Sequence, residues 1–201
     1  MRLNRKLCNI FMFITLALTA CTASSNINSN NSSNSNTNVA LTTGQADGRV
    51  PLGDGRVSFV PPANLKPLTK DQIASSKYSK TDPPRHVFAN DSQTVSVAIT
   101  FLSMDLAPEQ FSDYKESMER LLSRAIPDVQ WVAREFVVIN GRKWVHLEVA
   151  SEAPDADLHN HQYTTSFDGR ALVFGFNSTV KEYPQVKDAF LRSAQTIQVK
   201  D

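Results

Sequence analysis

Two dipeptides, Asn140-Gly141 and Asp168-Gly169, constrain the fold of this chain more than any other feature of its sequence. Each stands between two runs that alternate apolar and other residues, a pattern typical of β-strands. Asparagine or aspartate followed by glycine supplies the positive φ angles of a type I′ turn, whose twist matches that of the flanking strands. The sequence therefore predicts two antiparallel hairpins, formed by residues 129–139 with 142–151 and by residues 161–167 with 170–178.

Amphipathic helices are predicted before and after these hairpins. Residues 107–127 carry apolar side chains at helical spacing, and Pro108 suits the first position of such a helix. Residues 183–195 place Val186, Phe190 and Ala194 on one face of a second helix. Two-residue turns also set the hairpin register, in which Phe136 faces Val145 and Tyr163 faces Phe174.

The remaining elements complete an α+β order. Short strands are predicted at 56–60 and at the chain end, and residues 85–90 and 94–103 form a further hairpin. Residues 61–84 are interpreted as a long loop with a short helix near 71–75. Antiparallel hairpins interleaved with amphipathic helices imply an α+β sandwich. The imperfect alternation of the middle strands favours helices on both faces of the sheet.

The N-terminus has the features of a secretory signal peptide. Arg2, Arg5 and Lys6 precede an apolar run at 10–17, which is shorter than the roughly 20 residues that span a bilayer. Leu18-Thr19-Ala20-Cys21 resembles the bacterial lipobox, in which cleavage occurs before a cysteine that carries a diacylglycerol. We therefore expect a signal peptide at 1–20 and acyl chains, palmitate among them, on Cys21. The alternative is an ordinary signal peptide with Cys21 as a chance neighbour.

A polar tether is predicted after the lipidated cysteine. Residues 22–38 contain seven asparagines and six serines, too few apolar groups to offset the entropy of ordering. We expect residues 21–47 to connect the membrane to a single domain at 48–201. Cys8 lies in the signal peptide and Cys21 is acylated, so the mature chain has no thiol for a disulfide. In the lipobox family, Thr22 favours the outer membrane over the inner, with the domain facing the periplasm.

Three segments resemble the PsbP-like fold, and within it the DcrB-type periplasmic lipoproteins. They are "DGRVSFVPP" at 54–62, "IPDVQWVAREFVVINGRKW" at 126–144 and "AFLRSAQTIQV" at 189–199. The order of elements, the lipobox and the polar tether match as well, and the resemblance covers 48–201. Members of this fold generally act as accessory or adaptor proteins. The resemblance therefore implies an envelope lipoprotein that binds a protein partner, and the alternative it implies is a metal-binding or photosystem II assembly role.

Other classes of function find little support in the sequence. The chain has no Gly-x-Ser-x-Gly motif for a nucleophile and no glycine-rich phosphate loop, so we expect no enzyme, no catalytic residue and no cofactor. Removing Arg2, Arg5 and Lys6 from 21 basic residues leaves 18 against 20 acidic ones, without a basic cluster. We therefore expect no nucleic-acid partner.

Three histidines form the main candidate for chemistry. His159 and His161 are two apart on a predicted strand and share one face. His146 lies on the preceding strand with Glu148 on its face, and imidazole and carboxylate groups suit zinc. Further carboxylates stand in the connecting loop, at Glu152, Asp155 and Asp157.

The favoured interpretation of these histidines is structural. Their spacing matches no known zinc signature, His161 is expected opposite Phe176, and His159 is expected at a solvated strand end. Ordering an acidic loop on binding would also cost affinity. We therefore predict no high-affinity metal site, with imidazole nitrogens that do not approach one point.

Two cross-strand contacts are predicted in the first hairpin. Glu135 is expected beside His146, as either an ordinary surface pair or a pH-sensitive one. Trp131 and Trp144 are expected on one strand face. That face is interpreted as covered by a helix, the alternative being an exposed aromatic patch of the kind enriched at interfaces.

Overall fold

The computed structural model describes residues 48–76, 83–153 and 157–200. The predicted signal peptide, the tether and Cys21 lie outside the described residues. Within the described ranges, no helix is long and apolar enough to cross a lipid bilayer.

The described residues form ten strands, three α-helices and one 3-10 turn. In chain order they are β1 (Val50–Leu52), β2 (Val57–Phe59), β3 (Lys66–Pro67), α1 (Lys70–Ser75), β4 (His86–Ala89), β5 (Ser96–Asp105), the 3-10 turn (Pro108–Gln110), α2 (Phe111–Ala125), β6 (Gln130–Ile139), β7 (Arg142–Ser151), β8 (Leu158–Phe167), β9 (Arg170–Ser178), α3 (Tyr183–Gln195) and β10 (Gln198–Val199).

An antiparallel seven-stranded sheet forms the centre of the domain, in the order β3-β4-β5-β9-β8-β7-β6. Both predicted hairpins are confirmed, with Phe136 opposite Val145 and Tyr163 opposite Phe174. Asn140 adopts a φ of 48° and Gly141 one of 80°, as a type I′ turn requires. Strands β1, β2 and β10 form a second, small sheet in the order β1-β2-β10.

Helix α2 covers one face of the large sheet. Phe111, Tyr114, Met118 and Leu122 are its buried residues, and they pack in one cluster with apolar side chains of β7. The 3-10 turn that begins at Pro108 precedes this helix, where the sequence predicted its start. The tyrosine hydroxyl of Tyr114 lies 3.2 Å from the Thr164 hydroxyl, which provides the buried oxygen with a partner.

Helix α3 and the small sheet cover the opposite face. Phe59 from β2, Trp144 and Phe174 from the large sheet and Phe190 from α3 share this second and larger core. Both faces of the sheet are therefore buried at its central strands, as the imperfect alternation indicated. Strand β9 is buried continuously from Ala171 to Ser178 for this reason.

The region interpreted as a long loop contains more structure than the sequence indicated. The short helix predicted near 71–75 is confirmed as α1, whereas strand β3 in the same region and the short strand β1 were not predicted. Helix α1 begins with a capping box, in which the backbone N–H of Gln72 donates to Thr69 Oγ1 at 3.2 Å and the backbone N–H of Thr69 donates to Gln72 Oε1 at 2.8 Å.

A β-bulge overturns the prediction that Trp131 and Trp144 share a face. Trp131 pairs with Val149 but Ala133 pairs with Glu148, so Val132 is an extra residue in β6. One inserted residue moves the side chains beyond it to the opposite face of the sheet. Trp131 therefore packs on the α2 side and Trp144 lies in the core under α3, where it is covered as the favoured interpretation required.

Candidate functional site

The predicted histidines meet beneath α3, on the face of the sheet that this helix covers. Strands β7 and β8 are adjacent, and their register places Glu148 opposite His161 and Ala150 opposite His159. His146, Glu148, His159 and His161 are all buried. We call these four residues, with Tyr183 of α3, the histidine–carboxylate cluster.

Glu148 is the acceptor at the centre of the cluster. Its Oε1 accepts a hydrogen bond from His159 Nε2 at 2.7 Å and another from the Tyr183 hydroxyl at 3.1 Å. Its second oxygen, Oε2, lies 3.4 Å from His161 Nδ1. A carboxylate so buried requires such partners, because desolvation otherwise disfavours its charge.

The imidazole rings of His146 and His161 face each other. His146 Nε2 lies 3.3 Å from His161 Nδ1, and the two ring planes are within 10° of parallel. The remaining nitrogen of each ring has its own partner: His146 Nδ1 lies 3.3 Å from Glu135 Oε1, and His161 Nε2 lies 2.9 Å from the Tyr183 hydroxyl.

These partners assign the tautomers. Glu135 and Glu148 are acceptors when ionised, so His146 Nδ1 donates to Glu135 and the Tyr183 hydroxyl donates to Glu148. Tyr183 has a single proton to give, so His161 Nε2 must donate to its oxygen. In the neutral rings, the lone pairs then stand on His146 Nε2 and His161 Nδ1, which are the two facing atoms.

Burial sets the protonation of the cluster. Desolvation lowers the pKa of His161 to about 4, helped by His146, His159 and Lys187 and opposed by Glu148, so the ring is neutral at pH 7. Burial alone would raise the pKa of Glu148. The hydrogen bond from His159 and the nearby imidazoles outweigh it, and the pKa of Glu148 falls below its usual value.

Several site predictions are confirmed. Glu135 is the cross-strand neighbour of His146, and His161 lies opposite Phe176. The expectation that the imidazole nitrogens stay apart fails for His146 and His161, which are joined by an oxygen of Glu148. His159 is buried against the Tyr183 ring and does not lie at a solvated strand end.

The connecting loop does not supply the carboxylate of the cluster. Asp157 Oδ1 accepts a hydrogen bond from the backbone N–H of Val180 at 2.9 Å, and Asp155 lies outside the described residues. Sequence reasoning missed Tyr183, because its contacts cross 22 to 35 positions and no local pattern signals them. The only available signal was its place at the start of a helix that had to pack on the sheet.

No protein-family model matches this sequence, and neither does any curated protein sequence. Among solved structures, the chain is similar to CyanoP, the cyanobacterial PsbP of Synechocystis, with a TM-score of 0.56, 14% identity and coverage of 83% of this chain and 98% of CyanoP.

Two further structures are similar at lower scores. The Ran-binding protein Mog1p of Saccharomyces cerevisiae has a TM-score of 0.45 and 13% identity, covering 76% of this chain and 95% of its own. LpqN of Mycobacterium tuberculosis, involved in cell envelope biogenesis, has a TM-score of 0.44 and 10% identity, covering 72% and 83%. It is the similarity to CyanoP that shows the fold: the chain has the PsbP-like α+β architecture that its sequence resembles.

Proposed function

We propose that this protein is a lipid-anchored accessory protein of the bacterial envelope, and that its folded domain binds another protein through the free edge of strand β6. It acts as a DcrB-type adaptor and not as an enzyme. The lipobox at 18–21, the polar tether and the PsbP-like fold support this proposal. Acyl chains on Cys21 hold the protein at the membrane, facing the periplasm and favouring the outer membrane.

The edge of the large sheet is the observation that carries the proposal. Strand β6 ends the sheet, so among the described residues no strand pairs with its outer side. It is ten residues long, and it carries Val132, Phe136 and Val138, which are 56%, 39% and 67% exposed. A long apolar edge of this kind is a template for another chain, which natural proteins normally protect.

The opposite edge of the same sheet has that protection. Strand β3 is two residues long and consists of Lys66 and Pro67, a charge and a residue without a backbone N–H. The bulge at Val132 shields only the first part of β6. The stretch at 134–139 therefore remains available, and we infer that an extended segment of a partner protein adds a strand there.

Site-specific photocrosslinking in intact cells tests the proposed edge. A photoreactive phenylalanine analogue at Phe136 or Val138 should form adducts with one and the same protein, because both side chains would lie against the added strand. The matched control is Leu191 on α3, which is 37% exposed and distant in sequence from the edge. The adducts are identified by mass spectrometry after purification of the full chain.

Two outcomes would contradict this proposal. Adducts of equal yield at Leu191 would mean that capture is not specific to β6. Adducts at twice the mass of the chain, with no other partner, would identify a second copy as the occupant and exclude a heteromeric adaptor at this edge.

The lipid anchor makes a separate prediction. The protein extracted from membranes should begin at Cys21 and carry the mass of its acyl chains, because the lipobox directs cleavage and acylation to that cysteine. Two or more acyl chains hold a protein firmly at the membrane, whereas a single acyl chain binds only marginally. A Cys21→Ser variant should keep its signal peptide, whereas Cys8→Ser should be processed normally. A water-soluble protein with an unmodified N-terminus would refute the anchor.

A further inference from the structure

We propose that the histidine–carboxylate cluster is a zinc site, in which His146 Nε2, His161 Nδ1 and Glu148 Oε2 bind the ion and a fourth position is open to water. This goes beyond the adaptor role and reverses the sequence-based prediction of no high-affinity site. The three ligand atoms lie within 4.8 Å of one another, and all three residues are buried.

Two of the separations between these atoms match those around a tetrahedral ion. Ligands at about 2.0–2.1 Å from zinc stand about 3.4 Å from each other in a tetrahedron. His146 Nε2 is 3.3 Å from His161 Nδ1, and His161 Nδ1 is 3.4 Å from Glu148 Oε2. The ligand atoms of the third pair, His146 and Glu148, lie within 4.8 Å of each other.

The hydrogen bonds of the cluster also favour a cation. With the outer nitrogens of His146 and His161 donating to Glu135 and Tyr183, the three inner atoms are acceptors that lie close together with no donor among them. Buried acceptors that face each other are unfavourable unless a positive charge lies between them. Two imidazoles and one carboxylate are a ligand set that zinc accepts with a water in the fourth position.

The outer partners match those of known metal sites. A histidine that binds a metal usually donates its other N–H to a carboxylate, a carbonyl or water, which fixes the tautomer and the ring orientation. Glu135 does this for His146, and Tyr183 does it for His161. His159 Nε2 donates to the other oxygen of Glu148, Oε1, at 2.7 Å and so fixes the carboxylate. The two carboxylates together balance the charge of a divalent ion.

One premise of the opposite prediction, an acidic loop that would have to be ordered on binding, does not apply to these ligands. The carboxylate ligand comes from strand β7 and not from the acidic loop, so no loop has to be ordered on binding. His161 packs against Phe190 at a centroid distance of 6.4 Å, in an apolar surrounding that strengthens electrostatic attraction. All three ligands stand on paired strands, which hold them rigidly.

Zinc titration of the full chain tests the proposal. Cys8 and Cys21 are first changed to serine, because their thiols would bind zinc themselves, and the detergent-solubilised protein is treated with EDTA. Competition with a chromophoric chelator should give one Zn²⁺ per chain with submicromolar affinity. Cobalt(II) in place of zinc should give the visible absorption of a four- or five-coordinate ion.

The variants separate ligands from partners. His146→Ala and His161→Ala should each weaken binding by about 100-fold or more, and Glu135→Gln by about 10-fold as for a partner outside the ligand shell. Glu148→Gln should also lose affinity while its amide oxygen still accepts from His159, so that folding is retained. His86→Ala is the control and should bind as tightly as the parent, because His86 lies on β4 outside the cluster.

The result that overturns the proposal is equally direct. If the parent chain shows no saturable zinc binding at stoichiometric ratio, the cluster is not a zinc site. Binding that survives both His146→Ala and His161→Ala, in variants shown by circular dichroism to be folded, would place the zinc elsewhere and would refute the assignment as well.

Discussion

Replacing Phe174 with alanine is expected to destabilise the domain by about 3–5 kcal/mol, the range for truncating a buried aromatic residue. Phe174 is fully buried where the two sheets meet. Its ring makes edge contacts with Phe59 of the small sheet at 5.4 Å and with Trp144 of the large sheet at 6.1 Å. The loss combines the transfer energy of the ring with a cavity that neither sheet can close.

The control for this variant is a phenylalanine of the same sheet that is not in the core. Phe136 is partly exposed, and its ring lies 4.1 Å from Lys143 Nζ. Phe136→Ala should therefore cost about 1 kcal/mol or less, from a cation–π contact and partial burial. Urea unfolding followed by tryptophan fluorescence measures both. Equal losses for the two variants would mean that the core does not join the sheets at Phe174.

Local chemistry explains why the hairpins and the main helices could be predicted. A type I′ turn depends on two residues, and strand or helix periodicity depends on a short window, so neither requires knowledge of distant contacts. The turns at Asn140 and Asp168, with φ of 48° and 51°, follow directly from the residue types. Pairing register then follows from the turn.

The elements that escaped prediction depend on distant partners. Strand β1 has three residues and β3 has two, and each exists because another strand pairs with it. The bulge at Val132 has no marker in its own sequence, yet it moves Trp131 to the α2 side of the sheet. When the alternation of side chains is counted through a bulge, every residue beyond the bulge is assigned to the wrong face of the sheet.

In the candidate site, too, the sequence predicted the features that depend on local pattern and missed those that depend on distant contacts. Strand parity correctly put His159 and His161 on one face and Glu135 beside His146. It could not give the burial of the cluster, which depends on α3 docking over β8, nor the contact of Tyr183 with both Glu148 and His161. A histidine judged by its own strand therefore looks like a surface residue, although the assembled domain buries it.

Removing the central acceptor of the cluster is expected to have the second large effect. In metal-free protein, Glu148→Ala should cost about 2–6 kcal/mol, because it leaves two buried donors without an acceptor at about 1–3 kcal/mol each. His159 Nε2 and the Tyr183 hydroxyl both donate to Glu148 Oε1, and each would lose its acceptor away from water. Urea unfolding at neutral pH with EDTA measures the loss.

Glu148→Gln is the matched variant, because it removes the negative charge of the side chain and keeps the shape of the side chain. The amide oxygen can take the place of Oε1 and keep both donors satisfied, and the amide N–H then faces the lone pair on His161 Nδ1, 3.4 Å away in the parent. We therefore expect a loss of about 1 kcal/mol or less. If alanine and glutamine cost the same, the hydrogen bonds to Glu148 do not hold α3 on the sheet. If glutamine costs little, the carboxylate charge is dispensable for folding.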